Sequence, residues 1–301
     1  MKRILTLFLA VLMCITMFAA CGNTPKESAA PVDSAEPSAN VTDTAETDDP
    51  EETDIAATES DAGSITEKGK MTIGITIYEP MNFYDAENNL TGFDTEFAMA
   101  VCEKLGLEPD FVEINWETKE IELNAKSIDC IWNGMTITTD RAANMSISLP
   151  YVKNAQVVVV KADSDIAATA DLVGKTVVAE IGSAGEDQII GEDADESLAE
   201  AEYIGKSKQT DCLLEVKSGM ASAAVLDWTL AKTMIGEGTD FADLKMIEDL
   251  ELATEEYGIA FRKGSDMTEI VNTVIKDLVA DGTLGTLAEK YGLTLDPAIS
   301  E

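Results

Sequence analysis

The chain has 301 residues, with 21 basic and 57 acidic side chains, a formal net charge of −36 and no histidine. That charge excludes nucleic acid and direct adsorption to anionic lipid as partners. The missing histidine excludes Ser-His-Asp and Cys-His catalysis, a histidine-ligated metal and a histidine proton shuttle.

The chain opens on Lys2 and Arg3, followed by an apolar run over residues 4–20 and then Cys21. A basic start, an apolar centre and small residues before a cut site are the parts of an export signal. At 17 residues the run is at the lower limit for a membrane span, and no basic stop-transfer flank follows it. An ordinary signal peptide and an uncleaved anchor helix are the competing readings. Phe18-Ala19-Ala20-Cys21 argues against both, because it resembles the bacterial lipobox. That resemblance implies a signal peptide over residues 1–20 and a lipidated Cys21. One acyl chain holds a protein only marginally, so stable anchoring needs the several chains, palmitate among them, of a bacterial lipoprotein.

Residues 21–64 follow as the expected tether. Between Glu27 and Asp61 there are twelve acidic residues against the single basic Lys26, with no aromatic residue. Such a segment buries too little apolar area to offset its ordering entropy and is predicted to be disordered. Its 43 residues after Cys21 would span roughly 35–40 Å as an ideal coil, and charge repulsion lengthens that.

The remaining 237 residues suffice for one large domain or two small lobes. Residues 71–77 alternate as a strand ended by Pro80, and Gly92-Phe93-Asp94 opens a helix with Asp94 as its N-cap. Strands are predicted over 111–115, 128–132 and 156–161, with helices over 117–125 and 138–144. The pattern repeats: strands over 177–180, 223–226 and 257–261, and helices after Gly185, over 208–217, from Trp228, over 267–280 and over 284–291. This alternation predicts an α/β fold with mainly parallel sheets, whose ligands sit beyond the carboxyl ends of strands. The loops after Ile77, Trp132, Glu180 and Leu226 are therefore the candidate site. Gly182-Ser183-Ala184-Gly185 lacks the spacing of a nucleophile elbow and any histidine base. Cys102, Cys130 and Cys212 are odd in number and not spaced as CxxC, so they predict neither a disulfide framework nor a zinc cluster. They read as buried small hydrophobes, and no metal or cofactor is expected.

Several segments resemble, in order, the amino-acid-binding proteins of ABC transporters. They are Gly92-Phe93-Asp94, residues 128–141 (Ile-Asp-Cys-Ile-Trp-Asn-Gly-Met-Thr-Ile-Thr-Thr-Asp-Arg) and Leu149-Pro150-Tyr151. Further along come residues 171–175 with Gly182-Ser183, residues 223–227, residues 258–263 and Asp281-Gly282-Thr283. The resemblance implies a family 3 extracellular solute-binding protein of the type II periplasmic-binding-protein fold: two Rossmann-like lobes joined by a two-strand hinge. Lobe 1 would comprise residues 65–153 plus 257–301 and lobe 2 residues 156–254, with crossings at 153–156 and 254–257. Such a protein is not an enzyme. It closes as a monomer around one small, free amino acid outside the cell and delivers it to an ABC permease in the membrane.

The same resemblance implies the roles of single residues. Arg141 would hold the ligand carboxylate in a bidentate fork, a strong charge-assisted geometry, with Thr136 and the backbone N–H groups of Ser183 and Ala184 beside it. Ala184 stands where many relatives carry threonine. Asp227, and the carbonyl of Gly134, would take the ligand ammonium. Tyr78 and Trp116 would flank the ligand side chain. Ile75 stands where relatives for basic or amide ligands often carry an acid, which argues mildly against lysine, arginine or histidine, while Glu79 nearby could restore that preference. Asp227 also reads as a plain N-cap, and Tyr78 and Trp116 as core. A sensor with the same site and a cyclic-acid dehydratase on the same fold are the alternative functions. The expected location is the outer face of the cytoplasmic membrane, held through Cys21, in a Gram-positive-type bacterium.

Overall fold

The computed structural model describes residues 60–192 and 194–300. The expected signal peptide, Cys21 and the expected acidic tether up to Glu59 lie outside the described residues. The last part of the expected tether is corrected: Asp61–Lys68 forms helix α1. Ser60 starts it by accepting from the Gly63 amide, Gly69 ends it in the left-handed conformation, and Ala62 and Ile65 are buried. A side-chain cap and two apolar anchors outweigh the acidic composition of the preceding chain.

Strand β1 (Lys70–Ile75) follows, then a small hairpin of β2 (Phe83–Tyr84) and β3 (Leu90–Thr91). Helix α2 (Phe93–Leu105) buries Phe93, Phe97, Val101 and Cys102, the spacing of one helical face. Its N-cap is Gly92 rather than Asp94. At φ 120°, a Cβ on Gly92 would lie 2.3 Å from the Met81 carbonyl oxygen, so only glycine fits. Asp94 instead lies inside the first turn and is buried, accepting from the Gly134 amide (2.6 Å) and the Tyr151 hydroxyl (2.9 Å). Strand β4 (Glu108–Glu113), helix α3 (Lys119–Asn124), strand β5 (Cys130–Thr136), helix α4 (Thr139–Asn144) and strand β6 (Met145–Ile147) complete the first half.

A ten-residue strand, β7 (Val152–Lys161), leads into the second half. There β8 (Thr176–Glu180), α5 (Ala184–Ile190), β9 (Glu202–Lys206), α6 (Gln209–Ser218), β10 (Ala223–Asp227) and α7 (Trp228–Met234) alternate. The 19-residue strand β11 (Leu244–Arg262) returns to the first half, and helices α8 (Met267–Ala280) and α9 (Thr283–Tyr291) pack there. Of β11, only residues 257–261 were expected from the sequence.

The strands hydrogen-bond in the order β4-β1-β5-β11-β7-β10-β8-β9, with β6 also on β11. The flanks are parallel, β4-β1-β5 on one side and β10-β8-β9 on the other. The centre is antiparallel, because β7 and β11 run in opposite directions and pair with each other and with both flanks. The expectation of mainly parallel sheets thus holds for the flanks and not for the middle. Residues 153–155 pair directly with residues 254–256, so the two segments where the chain was expected to pass between lobes form one ribbon. Register breaks between Met246 and Ala253 interrupt β11 on the side of the second half. Separate apolar clusters surround Val158, Val160, Leu172 and Ile189 in the second half and Trp116, Leu123, Ile131 and Met135 in the first. Cys102, Cys130 and Cys212 are unpaired and buried, and burial raises the Cys102 thiol to about 12. No helix of the described residues is long and apolar enough to cross a membrane.

Candidate functional site

A cleft opens where the carboxyl ends of strands from both halves converge. From the first half it is lined by Tyr78, Trp116, Asn133, Gly134, Thr136 and Arg141. From the second half come Glu180, Ser183, Ala184, Gln209 and Asp227. Eight of the ten binding residues expected from the sequence are in this wall. Ile75 and Glu79 are not: Ile75 is buried in the main core, and Glu79 precedes the cis peptide to Pro80 and is only half-buried.

Arg141 is placed by a capped turn. Thr138, the N-cap of α4, accepts from the Arg141 amide through its hydroxyl at 3.1 Å. The side chain, 6% exposed, then donates through Nη1 to the Thr136 carbonyl (2.9 Å) and through Nη2 across the cleft to the Gly182 carbonyl (2.9 Å). Lys119 reaches the same Gly182 carbonyl at 2.9 Å, while also donating to the Trp116 carbonyl and lying 4.8 Å from the centre of the Trp116 ring. Burial, then repulsion from Arg141, pulls the Lys119 ammonium down to about 8.

Ser183 is the N-cap of α5, its hydroxyl accepting from the Glu186 amide at 3.1 Å. Its own amide is not free as expected, since it donates to the Glu180 carbonyl at 3.2 Å. The amide of Ala184, the first helical residue, has no intrahelical acceptor by construction.

Asp227 ends β10 and precedes α7, yet its side chain makes no capping hydrogen bond. Its carboxylate turns into the cleft wall, 6% exposed. One oxygen accepts from Asn154 Nδ2 (2.7 Å), Gln156 Nε2 (2.8 Å) and the Tyr257 hydroxyl (2.9 Å), and the other from Gln209 Nε2. The plain-cap reading of Asp227 is thereby set aside. The same two amides serve Glu255, with Asn154 at 2.5 Å and Gln156 at 2.9 Å. Burial and the adjacent Asp227 charge raise Glu255 to about 8. Tyr78 joins the network through a 2.5 Å contact between its hydroxyl and that of Tyr257. Gly134 faces it with φ 52°, and a Cβ there would sit 2.6 Å from the Tyr78 ring. Tyr78 and Trp116 therefore belong to the apolar packing and to the cleft at once.

Sequence reasoning missed three wall residues: Asn133, Glu180 and Gln209. The first two stand where strand-end logic pointed, just after Trp132 and just before the loop following Glu180. Gln209 carried no signal beyond its place in the first turn of a helix. Among the described residues no cluster of histidine, cysteine or carboxylates could hold a metal ion.

In this arrangement a fixed guanidinium from the first half faces an orphan amide and a buried carboxylate from the second. Together they offer paired sites for one anion and one cation. Among known proteins, the chain is 30% identical over 241 residues to an arginine-binding extracellular protein of Bacillus subtilis, covering 78% of this chain and 91% of that one. It is 27% identical over 239 residues to an L-cystine-binding protein of Escherichia coli, covering 78% and 87%. A crystal structure of a mutant of ArgBP from T. maritima superposes with a TM-score of 0.70 at 33% identity, covering 77% of this chain and 98% of that one. Residues 71–294 match the family directly. The two-lobed α/β architecture with its paired central strands is the type II periplasmic-binding-protein fold, and the chain belongs to the bacterial extracellular solute-binding proteins, family 3.

Proposed function

We propose that this protein captures an α-amino acid outside the cell and delivers it to an ABC permease, without carrying out chemistry on it. The observation that carries this reading is the placement of Arg141 and Asp227: a buried cation and a buried anion, one from each half of the protein, in the wall of one cleft. An amino-acid carboxylate would take the guanidinium, assisted by Thr136 and the Ala184 amide. Its ammonium would take Asp227 and the Gly134 carbonyl, and Tyr78 and Trp116 would flank its side chain. Relatives named for binding arginine and cystine support the ligand class. Because the partners come from the two lobes, 65–153 with 257–301 and 156–254, ligand contacts favour the closed arrangement, and the ribbon at 153–156 and 254–257 is the hinge. The protein acts as a monomer on the outer face of a single-membrane cell, held by acylated Cys21 behind its acidic tether.

Titration calorimetry with the twenty amino acids and cystine, on the wild type and on Arg141→Ala, tests the reading. At least one amino acid should bind the wild type, and the substitution should abolish that binding while the melting transition persists. Absence of binding by every amino acid, or unchanged affinity in the variant, overturns it.

A further inference from the structure

Glu180 is the last residue of β8, and its side chain forms part of the cleft wall while only 5% exposed. Among the described residues no donor is hydrogen-bonded to its carboxylate. What acts on it is burial first, then nearby charges: Asp227 on β10, Lys119 on α3, and Asp211 and Lys208 at the start of α6, while Lys206, its neighbour on β9, is held by Glu215. Neither Lys119 nor Lys208 forms an ion pair with it. Asp227 is itself an acid, and the Lys119 ammonium is directed to the carbonyls of Trp116 and Gly182. Glu180 is thus a buried carboxyl group facing the cleft with no hydrogen-bond partner, which stays neutral unless a ligand supplies a counter-charge.

The cleft wall carries two carboxylates, Asp227 and Glu180, and one guanidinium, Arg141. An amino acid with a neutral side chain brings one anion for Arg141 and one cation for Asp227, and leaves Glu180 buried without a counterpart. We propose that Glu180 is a specificity-determining residue, and that the ligand is an α-amino acid whose side chain carries a second positive charge, a guanidinium or an ammonium. This rests on the amino-acid reading of the cleft and refines it. The acid looked for at Ile75 or Glu79 on one lobe is supplied from the other.

Protonation gives an independent signature. Burial and Asp227 raise Glu180 to about 8, so at neutral pH it is mostly protonated before the ligand arrives. A cation beside it favours the ionised form, so binding should release a proton.

The test is titration calorimetry at pH 7 with L-arginine, L-lysine and L-ornithine against the neutral analogues L-citrulline and L-glutamine, repeated in phosphate and Tris, on the wild type and Glu180→Gln. The substitution keeps size and shape. The wild type should prefer the cationic ligands and release a proton with them but not with citrulline. Glu180→Gln should weaken the preferred cationic ligand by about 30-fold or more, as loss of one partner of a buried pair does, leave citrulline within a few-fold and abolish the buffer dependence. Neutral ligands that bind as tightly as cationic ones, or equal losses for both kinds, overturn the proposal while leaving amino-acid capture standing. Binding of no amino acid at all overturns the underlying reading as well.

Discussion

The Gly182 carbonyl receives hydrogen bonds from two cations of the facing half, Arg141 Nη2 and Lys119 Nζ, each at 2.9 Å. Gly182 adopts φ 74°, and a Cβ there would lie 3.2 Å from the Lys119 ammonium, so a glycine lets the lysine approach. Arg141 is also the proposed carboxylate ligand. Lys119 is not in the cleft wall, which separates the contact between halves from the contact with solute.

That separation makes Lys119→Met informative, since it keeps the apolar stem over Trp116 and removes the ammonium. A hydrogen bond from a charged group contributes about 1.5–3 kcal/mol, and two such bonds are lost here, although the Gly182 carbonyl keeps Arg141 and the Trp116 carbonyl keeps the Lys119 amide. Affinity for every ligand should fall by a similar factor, with the order of preference unchanged and a larger ligand-free radius of gyration in small-angle scattering. A changed order of preference would instead place Lys119 in the site.

Asp227→Asn bears on the ammonium assignment. Asparagine retains the shape and one accepting oxygen but loses the charge that an ammonium meets. Amino acids should lose more affinity than their deaminated analogues, which bring only a carboxylate. Because Asp227 makes no capping bond to α7, the melting temperature should move little through the helix itself. Equal losses for both ligand sets would mean that Asp227 only organises Asn154, Gln156, Gln209 and Tyr257.

Buried acids set the pH dependence of the ligand-free protein. Burial first of all raises Glu180 and Glu255 from an ordinary 4.5 to about 8, and Asp94 from 3.8 to about 7. The unfolded chain releases these protons near the ordinary values, while the folded chain keeps them to pH 7 or 8. Between those limits the folded state binds more protons, so stability falls as pH rises. Lys119 acts oppositely but higher, between about 8 and 10.5. Calorimetric melting should show a higher transition at pH 5 than at pH 8, and Glu255→Gln should flatten the slope. A transition that rises over this interval would contradict the protonated state of these acids.

Much of this was legible in the sequence, for physical reasons that differ by residue. Arg141, Thr136 and Asp227 sit in short segments whose order and spacing resemble one family, and strand-end logic independently marked the same loops. Glu180 was marked only as the end of a strand, because the direction of a terminal side chain depends on what covers the sheet there. The early part of β11 was not foreseen: Glu248, Asp249, Glu251, Glu255 and Glu256 obscure its alternation, and pairing with β7 overrides local preference. Asp94 was read as a cap because aspartate favours that position, but its bonds to Gly134 and Tyr151 lie far away in sequence.

Helix α1 is the other element hidden by composition, and its attachment can be measured. Arg262 donates through Nε to both oxygens of Asp61 (3.1 and 3.0 Å) and through Nη1 to the carbonyls of Leu123 and Ile128. Asp266 accepts from the Ser60 hydroxyl and the Ala62 amide, fixing the same end of the helix to the residues before α8. Ile65 is buried beneath. Arg262→Ala would leave Asp61 without its partner and remove a donor from two carbonyls, of which Leu123 keeps the Lys126 amide, a loss of about 2–4 kcal/mol for a pair this sheltered. A chain beginning at residue 65 would lose the cap and Asp61 together and should melt at least as far below one beginning at residue 60. Both changes should leave ligand affinity intact, because α1 is absent from the cleft wall. If the two chain starts melt alike, α1 adds nothing and the tether extends to Ser64 after all.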